Sequence, residues 1–259
     1  MILPFLIGSA AALALFAAAW LWARKIDNYS IVDAVWAFGI GLLAGGWLAT
    51  GSGNPAKRIA AAALILAWSL RLGYHLQRRI AKAHPEEDPR YDKLRSHWHG
   101  RVARSFFWFF EGQALSVILL AFPFLLIAVD RSPFGFWEIS GSVVTLAAIS
   151  GEAFADYQIT LFKRHNSDPK AVCKEGLWRY SRHPNYFFES LIWVGFFLFA
   201  LGSAHGWTAV YSPLVITYLL LKVTGVPATE ASALARKGDA YRDYQRTTSV
   251  FIPLPPRLP

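Results

Sequence analysis

The 259-residue chain is 54% hydrophobic and only 17% charged, with a formal charge of +9 at pH 7 and one cysteine, Cys173. A single cysteine excludes an intrachain disulfide framework. The long apolar runs exclude an ordinary soluble domain, because about 20 consecutive apolar residues span a bilayer as a helix. The basic excess lies between those runs, so it does not indicate nucleic acid.

In chain order, helical spans are predicted at 2–23, 31–50, 57–80, 106–129, 135–161, 185–204 and 207–224. Residues 2–22 lack a basic leading region and are read as a mature helix rather than a cleavable signal. The third segment is the least uniform, ending in Arg71, Arg78 and Arg79. His205-Gly206 is predicted to be a tight turn between the last two spans, and Gly238 to close a short helix from Glu230 to Lys237. No segment alternates as a strand would, and in lipid helices satisfy their own backbone groups. The fold class predicted is an all-α integral membrane protein: seven transmembrane helices in one domain over 1–259, with a tail over 225–259.

The 24–30 turn, the 81–105 and 162–184 loops and the tail hold most of the lysines and arginines. The opposite side holds Arg131, with Lys57 and Arg58 at a helix edge. This asymmetry predicts that the basic side and the C-terminus are cytoplasmic, and a location in the plasma (bacterial inner) membrane. The 15% of aromatic residues, 11 of them Trp, suits rings placed at membrane interfaces.

Ionisable groups inside apolar spans cost about 2.5–3.5 kcal/mol each on insertion scales and are functional suspects. Asp33 opens the second span, and Arg71, Tyr74 and His75 lie in the third. Glu111 and Gln113 lie early in the fourth, and Glu138 opens the fifth. Glu152 and Asp156 stand four apart on one face late in the fifth. Each has a plainer explanation as a helix cap, a snorkelling side chain or a wet last turn; together they suggest a polar cavity near the basic side.

The densest polar motif runs from Gly176 to Glu189 and contains Arg179, Arg182, His183, Pro184, Asn185, Tyr186 and Glu189. Pro184 suits the first turn of a helix, whose free N–H groups and positive dipole end attract anions. Asn185 and Glu189 share one helical face. In the tail, Tyr241, Tyr244 and Arg246 form a polar aromatic stretch before Val250-Phe251-Ile252. That stretch is suited either to clamping an adenine ring and a phosphate or to resting on anionic lipid.

The Arg182-His183-Pro184-Asn185-Tyr186 core, the Asn185/Glu189 pair and the Tyr241-Arg242-Asp243-Tyr244…Phe251-Ile252-Pro253 ending together resemble the bacterial membrane proteins related to steroid 5α-reductases. The likeness is carried by residues 150–259 and is weak over the first four spans. It implies a seven-helix enzyme that uses NADPH to reduce the C4–C5 double bond of 3-oxo-Δ4-steroids or a related lipid enone. The implied partners are that lipophilic substrate and membrane lipid, with no nucleic acid and no obligate protein partner. Asn185 and Glu189 would hold the nicotinamide end. The acidic residue of an Asp-Tyr pair on the fifth helix falls on Asp156-Tyr157, with Glu152 one turn earlier where the family often has asparagine; these and Tyr186 would belong to a cofactor cavity that ordered cytoplasmic loops cover. Lys163, Arg164, Arg179 and Arg182 would meet phosphates, and Tyr241, Tyr244 and Arg246 would complete the site. No metal is implied. The catalytic acid and tyrosine of that family fall on Asp33 and Tyr74, with Trp68, Arg71 and His75 as alternatives to the tyrosine. A donor pair of that kind would stabilise the enolate oxygen formed when hydride reaches the β-carbon.

The competing resemblance is to S-adenosylmethionine-dependent membrane methyltransferases of isoprenylcysteine or phospholipid type, which also carry Arg-His-Pro-x-Tyr at a helix start. Those proteins usually have Gly two residues after that Tyr and a Glu-Glu pair in the tail. Here Phe188 and a lone Glu230 stand in those places.

Overall fold

The computed structural model describes residues 2–257. Among these, helix is the only extended regular structure, and Ser181 and Ser249 form an isolated bridge. Ten α-helices follow in chain order: α1 (Ile2–Lys25), α2 (Ile31–Thr50), α3 (Pro55–Ala83), α4 (Pro89–His97), α5 (Val102–Val129), α6 (Phe136–His165), α7 (Pro184–Leu201), α8 (Tyr211–Tyr218), α9 (Val226–Lys237) and α10 (Asp239–Thr247). Six helical segments are long and apolar enough to cross a membrane: α1, α2, α3, α5, α7 and the composite Gly206–Lys237. The protein is thus an all-helical membrane protein. The segment expected as the fifth span became α6, whose 30 residues are long enough but interrupted by Glu138, Glu152 and Asp156.

The last expected span is not one continuous helix. A 3₁₀ turn (Gly206–Val210) leads into α8, which passes into five residues of π-helix, Leu219–Val223. Thr224 closes that wide turn with an N–H bond to the Leu219 carbonyl at 2.8 Å. Gly225 packs with no room for a Cβ, which would lie 2.5 Å from the Leu220 oxygen. The tail expected from 225 is ordered into α9 and α10, and Gly238 ends α9 at φ +57°, as anticipated from sequence.

The chain divides into two compact units: Met1–Ile139 with Phe199–Ala209, and Ser140–Leu198 with Val210–Pro259. In the N-terminal unit, α2 and α3 approach closely because small residues face each other. A Cβ on Gly41 would lie 2.2 Å from Ser69 Oγ, and Ser69 Oγ donates to the Ala37 carbonyl at 2.9 Å. Gly73 lies flat against the Phe38 ring.

Lys57 organises one end of this unit. It lies at a helix edge, as the sequence indicates, and is fully buried there. Its ammonium donates to Asp130 Oδ2 at 2.9 Å, to Ser132 Oγ at 2.6 Å and to the Gly202 carbonyl at 2.6 Å. It also pairs with Glu138 Oε1 at 2.7 Å. Asp130 Oδ1 accepts the Ala204 N–H, and a side chain at Gly202 would collide with Glu138. The start of α3, the end of α5, the start of α6 and the turn after α7 therefore meet on one cation. Burial opposes the Asp130 charge, but hydrogen bonds from Ser132, Lys57 and the Ala204 backbone hold its carboxyl below the usual aspartate range.

In the C-terminal unit, α6 and α7 approach through glycines. A Cβ on Gly195 would lie 2.3 Å from Thr145 Oγ1, and one on Gly151 would lie 2.4 Å from the Phe188 ring. This close seam fixes the rotation of α7 about its axis, and so the direction in which its first polar turns point.

Replacing Lys57 with Met should leave buried carboxylates without their cation and destabilise the fold by about 3–5 kcal/mol, read as a lowered Tm in detergent. Because the Asp130 pKa is lowered on folding, its contribution is complete above the unfolded value near 3.9 and fades as pH falls below about 4. The wild-type Tm should therefore drop on acidification, and the Asp130→Asn variant should show a shallower drop.

Candidate functional site

The motif expected to open a helix does so: Pro184 is the first residue of α7. The chain ahead of it is tied to the segment after α10. Arg182 N–H bonds the Ser249 carbonyl at 2.8 Å, Leu254 N–H bonds the Tyr180 carbonyl at 3.0 Å, and Ser181 Oγ donates to the Phe251 carbonyl at 2.7 Å. The same Ser181 oxygen accepts the His183 N–H at 3.1 Å. The segment after α10 thus lies beside residues 180–182 and sets the entry into α7.

Glu230, in the first turns of α9, is the centre of this arrangement. Its Oε1 accepts from Arg182 Nε at 2.6 Å, contacts His183 Nε2 at 3.2 Å and accepts from Tyr241 OH at 3.3 Å. Its Oε2 accepts from Gln245 Nε2 at 2.6 Å. Arg182 continues through Nη1 to the carbonyls of Gln245 (3.0 Å) and Thr248 (2.7 Å). His183 stacks on the Tyr186 ring, whose hydroxyl is 3.0 Å from Thr229 Oγ1.

The α10 helix repeats apolar and charged positions so that Tyr241 and Tyr244 are buried while Asp239, Arg242, Asp243 and Arg246 face outward. Tyr244 OH donates to the carbonyls of Trp178 and Ser181. Burial, and then neighbouring charge, push both phenol pKa values up, so both remain donors. Arg246 forms an exposed ion pair with Asp243. Arg182, Tyr241 and Tyr244, expected to touch a cofactor, bond to Glu230 and to backbone carbonyls, and Arg246 stays exposed beside Asp243.

The α6–α7 face behaves differently. Asn185 Nδ2 donates to Asp156 Oδ1 at 3.3 Å. Buried Glu189, one turn further along α7, accepts from Trp193 Nε1 at 2.9 Å. Glu152 is buried one turn before Asp156. An amide and a carboxylate therefore meet between α6 and α7, each with a buried carboxylate one turn away on its own helix, at the spacing that places Asn185/Glu189 and Glu152/Asp156 on shared faces.

Beyond this face, the 3₁₀ turn Gly176–Arg179 is fastened to α6. Gln158 Oε1 accepts the Leu177 N–H at 3.0 Å, and Trp178 Nε1 donates to the Ala155 carbonyl at 3.0 Å. Gly176 adopts φ +54°, and a Cβ there would lie 2.0 Å from Gln158 Nε2; only glycine fits. This fastening places exposed Arg179 near the last turns of α6, where Lys163 and Arg164 are also exposed.

The catalytic pair expected in the N-terminal unit is not formed. Tyr74 is 58% exposed on the outer face of α3, under the Arg78 guanidinium. Asp33 instead accepts from Tyr91 OH at 2.6 Å through Oδ1, and from Arg90 Nη2 at 2.6 Å and Arg79 Nη2 at 3.4 Å through Oδ2. Both of its oxygens are engaged as acceptors. Burial, and then Asp33, raise the Tyr91 pKa. Asp88 ties the same arginines, and its backbone N–H bonds Ser30 Oγ at 2.9 Å. The cluster anchors α4 to the start of α2. Tyr91 lies in α4, a short helix whose sequence has no apolar period, so nothing in the sequence pairs it with Asp33.

Residues 19–248 match the family described as a protein of unknown function, DUF1295. The chain belongs to that family. The family is associated with steroid 5α-reductase-like membrane proteins. The chain is also similar to an uncharacterized protein of Schizosaccharomyces pombe, 27% identical over 281 residues, covering 96% of this chain and 80% of the relative. No solved structure matches it.

Glu230→Gln keeps the shape of the side chain and removes the charge that joins Arg182 to the tail. Hydrogen bonds to charged groups are worth about 1.5–3 kcal/mol. Hydrogen exchange across 239–254 should therefore accelerate by roughly tenfold or more, while exchange in α2 and α3 stays unchanged.

Proposed function

We propose that this protein is an NADPH-dependent membrane reductase of a lipophilic enone, a 3-oxo-Δ4-steroid or a chemically related lipid, with its cofactor site in the C-terminal unit on the cytoplasmic side. The observation that carries the reading is the polar face shared by α6 and α7, where Asn185 meets Asp156 and Glu189 lies buried one turn deeper. The Lys and Arg asymmetry supports the sidedness, and the full length of α6 supports it as a seventh span.

The residues present fit the cofactor in chemistry. A nicotinamide carboxamide both donates and accepts, which matches a carboxylate and an amide on one helical face. Arg164 and Arg179 make no ion pair among the described residues and stand exposed beside Lys163, a cationic group suited to phosphates, including a 2′-phosphate. When bound, NADPH would supply the hydride that adds to the β-carbon of the enone. Asn185 and Glu189 would orient the carboxamide, and Asp156 would hold the Asn185 amide in place. The Glu230 cluster would act one layer behind, fixing the start of α7. Asp33 serves as an anchor for α4 in this scheme.

The second reading is a membrane methyltransferase that uses S-adenosylmethionine. It draws on one observation: Glu230 of the tail bonds both Arg182 and His183 of the Arg-His-Pro-x-Tyr motif. Phe188 favours the reductase, because its ring fills the space over Gly151 on the α7 turn that a glycine would leave bare.

Titration of the purified protein should show NADPH binding and progesterone-dependent loss of reduced-nicotinamide absorbance. Glu189→Gln should weaken NADPH roughly tenfold through loss of a charge-assisted hydrogen bond. The Arg164→Gln/Arg179→Gln double variant should weaken NADPH more than NADH. Binding of S-adenosylmethionine without NADPH would transfer the assignment to the methyltransferase.

A further inference from the structure

The seam between α1 and α5 has two unlike ends. At one end Ile2, Phe5, Phe122 and Leu125 line a small apolar hollow of about 140 Å³. At the other, Trp20, Arg24, Ala103, Arg104 and Phe107 line an open groove of about 440 Å³, within the range of small-molecule sites. Phe5 and Trp20 are 15 residues apart on one helix, about 22 Å along its axis. The seam therefore runs across most of a hydrocarbon layer.

Two contacts shape the larger groove. Trp20 Nε1 donates to the Ala103 carbonyl at 2.9 Å, and the Trp20 and Phe107 rings meet edge to face at 5.2 Å. These contacts fix an apolar, aromatic floor. Two guanidinium groups stand at its rim, both exposed. Arg24 lies 5.9 Å from the Trp20 ring centroid, and neither arginine has a carboxylate partner among the described residues. By contrast, Arg79, Arg90 and Arg95 pair with acids. Trp22 and Trp108 are more than half exposed at the same level, where aromatic rings mark a membrane interface.

An apolar floor continuing into a lipid-facing seam, with two unpartnered cations at its rim, has the polarity of a phospholipid. We propose that the α1–α5 groove binds one anionic phospholipid, with an acyl chain along Trp20 and Phe107 and the headgroup phosphate between Arg24 and Arg104. Charge complementarity selects an anionic lipid over a zwitterionic one, because two guanidinium groups face a single phosphate with no protein acid to balance the second. The site is separate from the residues assigned to the cofactor and does not depend on that assignment.

Native mass spectrometry of the full chain, released from detergent with phosphatidylglycerol or with phosphatidylcholine of identical chains, tests the proposal. Phosphatidylglycerol should remain bound at one copy per protein, with phosphatidylcholine retained roughly tenfold less. The Arg24→Gln/Arg104→Gln double variant should lose that preference. Lys93→Gln/Arg101→Gln, which removes two nearby positive charges outside the groove, should keep it. Ala103→Phe, which fills the groove and leaves its charges, should lower phosphatidylglycerol retention as well; circular dichroism and Tm confirm that each variant is folded. Equal retention of both lipids by the wild type would overturn the proposal, as would an unchanged preference in the Arg24/Arg104 variant. Displacement of phosphatidylglycerol by millimolar inorganic phosphate would also overturn it, showing that the arginines take a free anion rather than a lipid.

Discussion

The geometry of the candidate site depends on one carboxylate that is distant in sequence from the residues it organises. Glu230 gathers a guanidinium, an imidazole, a phenol and an amide. Through Arg182 it reaches two backbone carbonyls of the tail. A charged group partly withdrawn from water needs protein partners in place of the water it loses, and Glu230 finds them with both oxygens. The cost of leaving any one partner unbonded is what makes the tail, α9 and the entry to α7 behave as a single body. That body fixes the height of Pro184, and the glycine seam with α6 fixes the rotation of α7. Together they determine where Asn185 and Glu189 point.

The same principle recurs with opposite sign in the N-terminal unit. Lys57 is a fully buried cation surrounded by Asp130, Glu138, Ser132 and the Gly202 carbonyl. Buried ion pairs are often no better for stability than apolar packing, but they tolerate few alternative arrangements. In a bundle whose helices otherwise meet through small residues and smooth apolar faces, such a point fixes which helix ends come together. Asp33, with Arg79, Arg90 and Tyr91, does the same for α4. Several ionisable groups that stand out within apolar spans are thus connectors.

This changes what a polar residue in a membrane segment signifies here. Asp33 is a candidate for chemistry because polar groups in apolar surroundings are costly, and Arg182, Tyr241 and Tyr244 are candidates through the motif and the tail that carry the family resemblance. They are explained by intramolecular partners. The residues left for a ligand are those on the α6–α7 face and the exposed cations beyond it. They agree in kind with a dinucleotide that has a carboxamide at one end and phosphates at the other. The functional reading therefore rests on fewer residues than the motif suggested, and on ones whose positions follow from the helix seam.

The sequence by itself determined the helical class, the positions of most spans, the helix start at Pro184, the stop at Gly238 and the shared faces of Asn185/Glu189 and Glu152/Asp156. All of these follow from local rules: apolar run length, proline and glycine geometry, and the 3.6-residue period. Only the tertiary structure decided which ionisable groups would be partners. The link from Arg182 to Glu230 crosses 48 residues and that from Asp33 to Tyr91 crosses 58. No periodicity connects positions so far apart. Tyr74 shows the limit from the other side: it lies in the expected helix, but the rotation of α3, set by the close contact of Gly41 with Ser69, turns it outward. Helix existence is written in neighbouring residues, whereas helix rotation and charge pairing are settled by packing between segments that the sequence keeps apart.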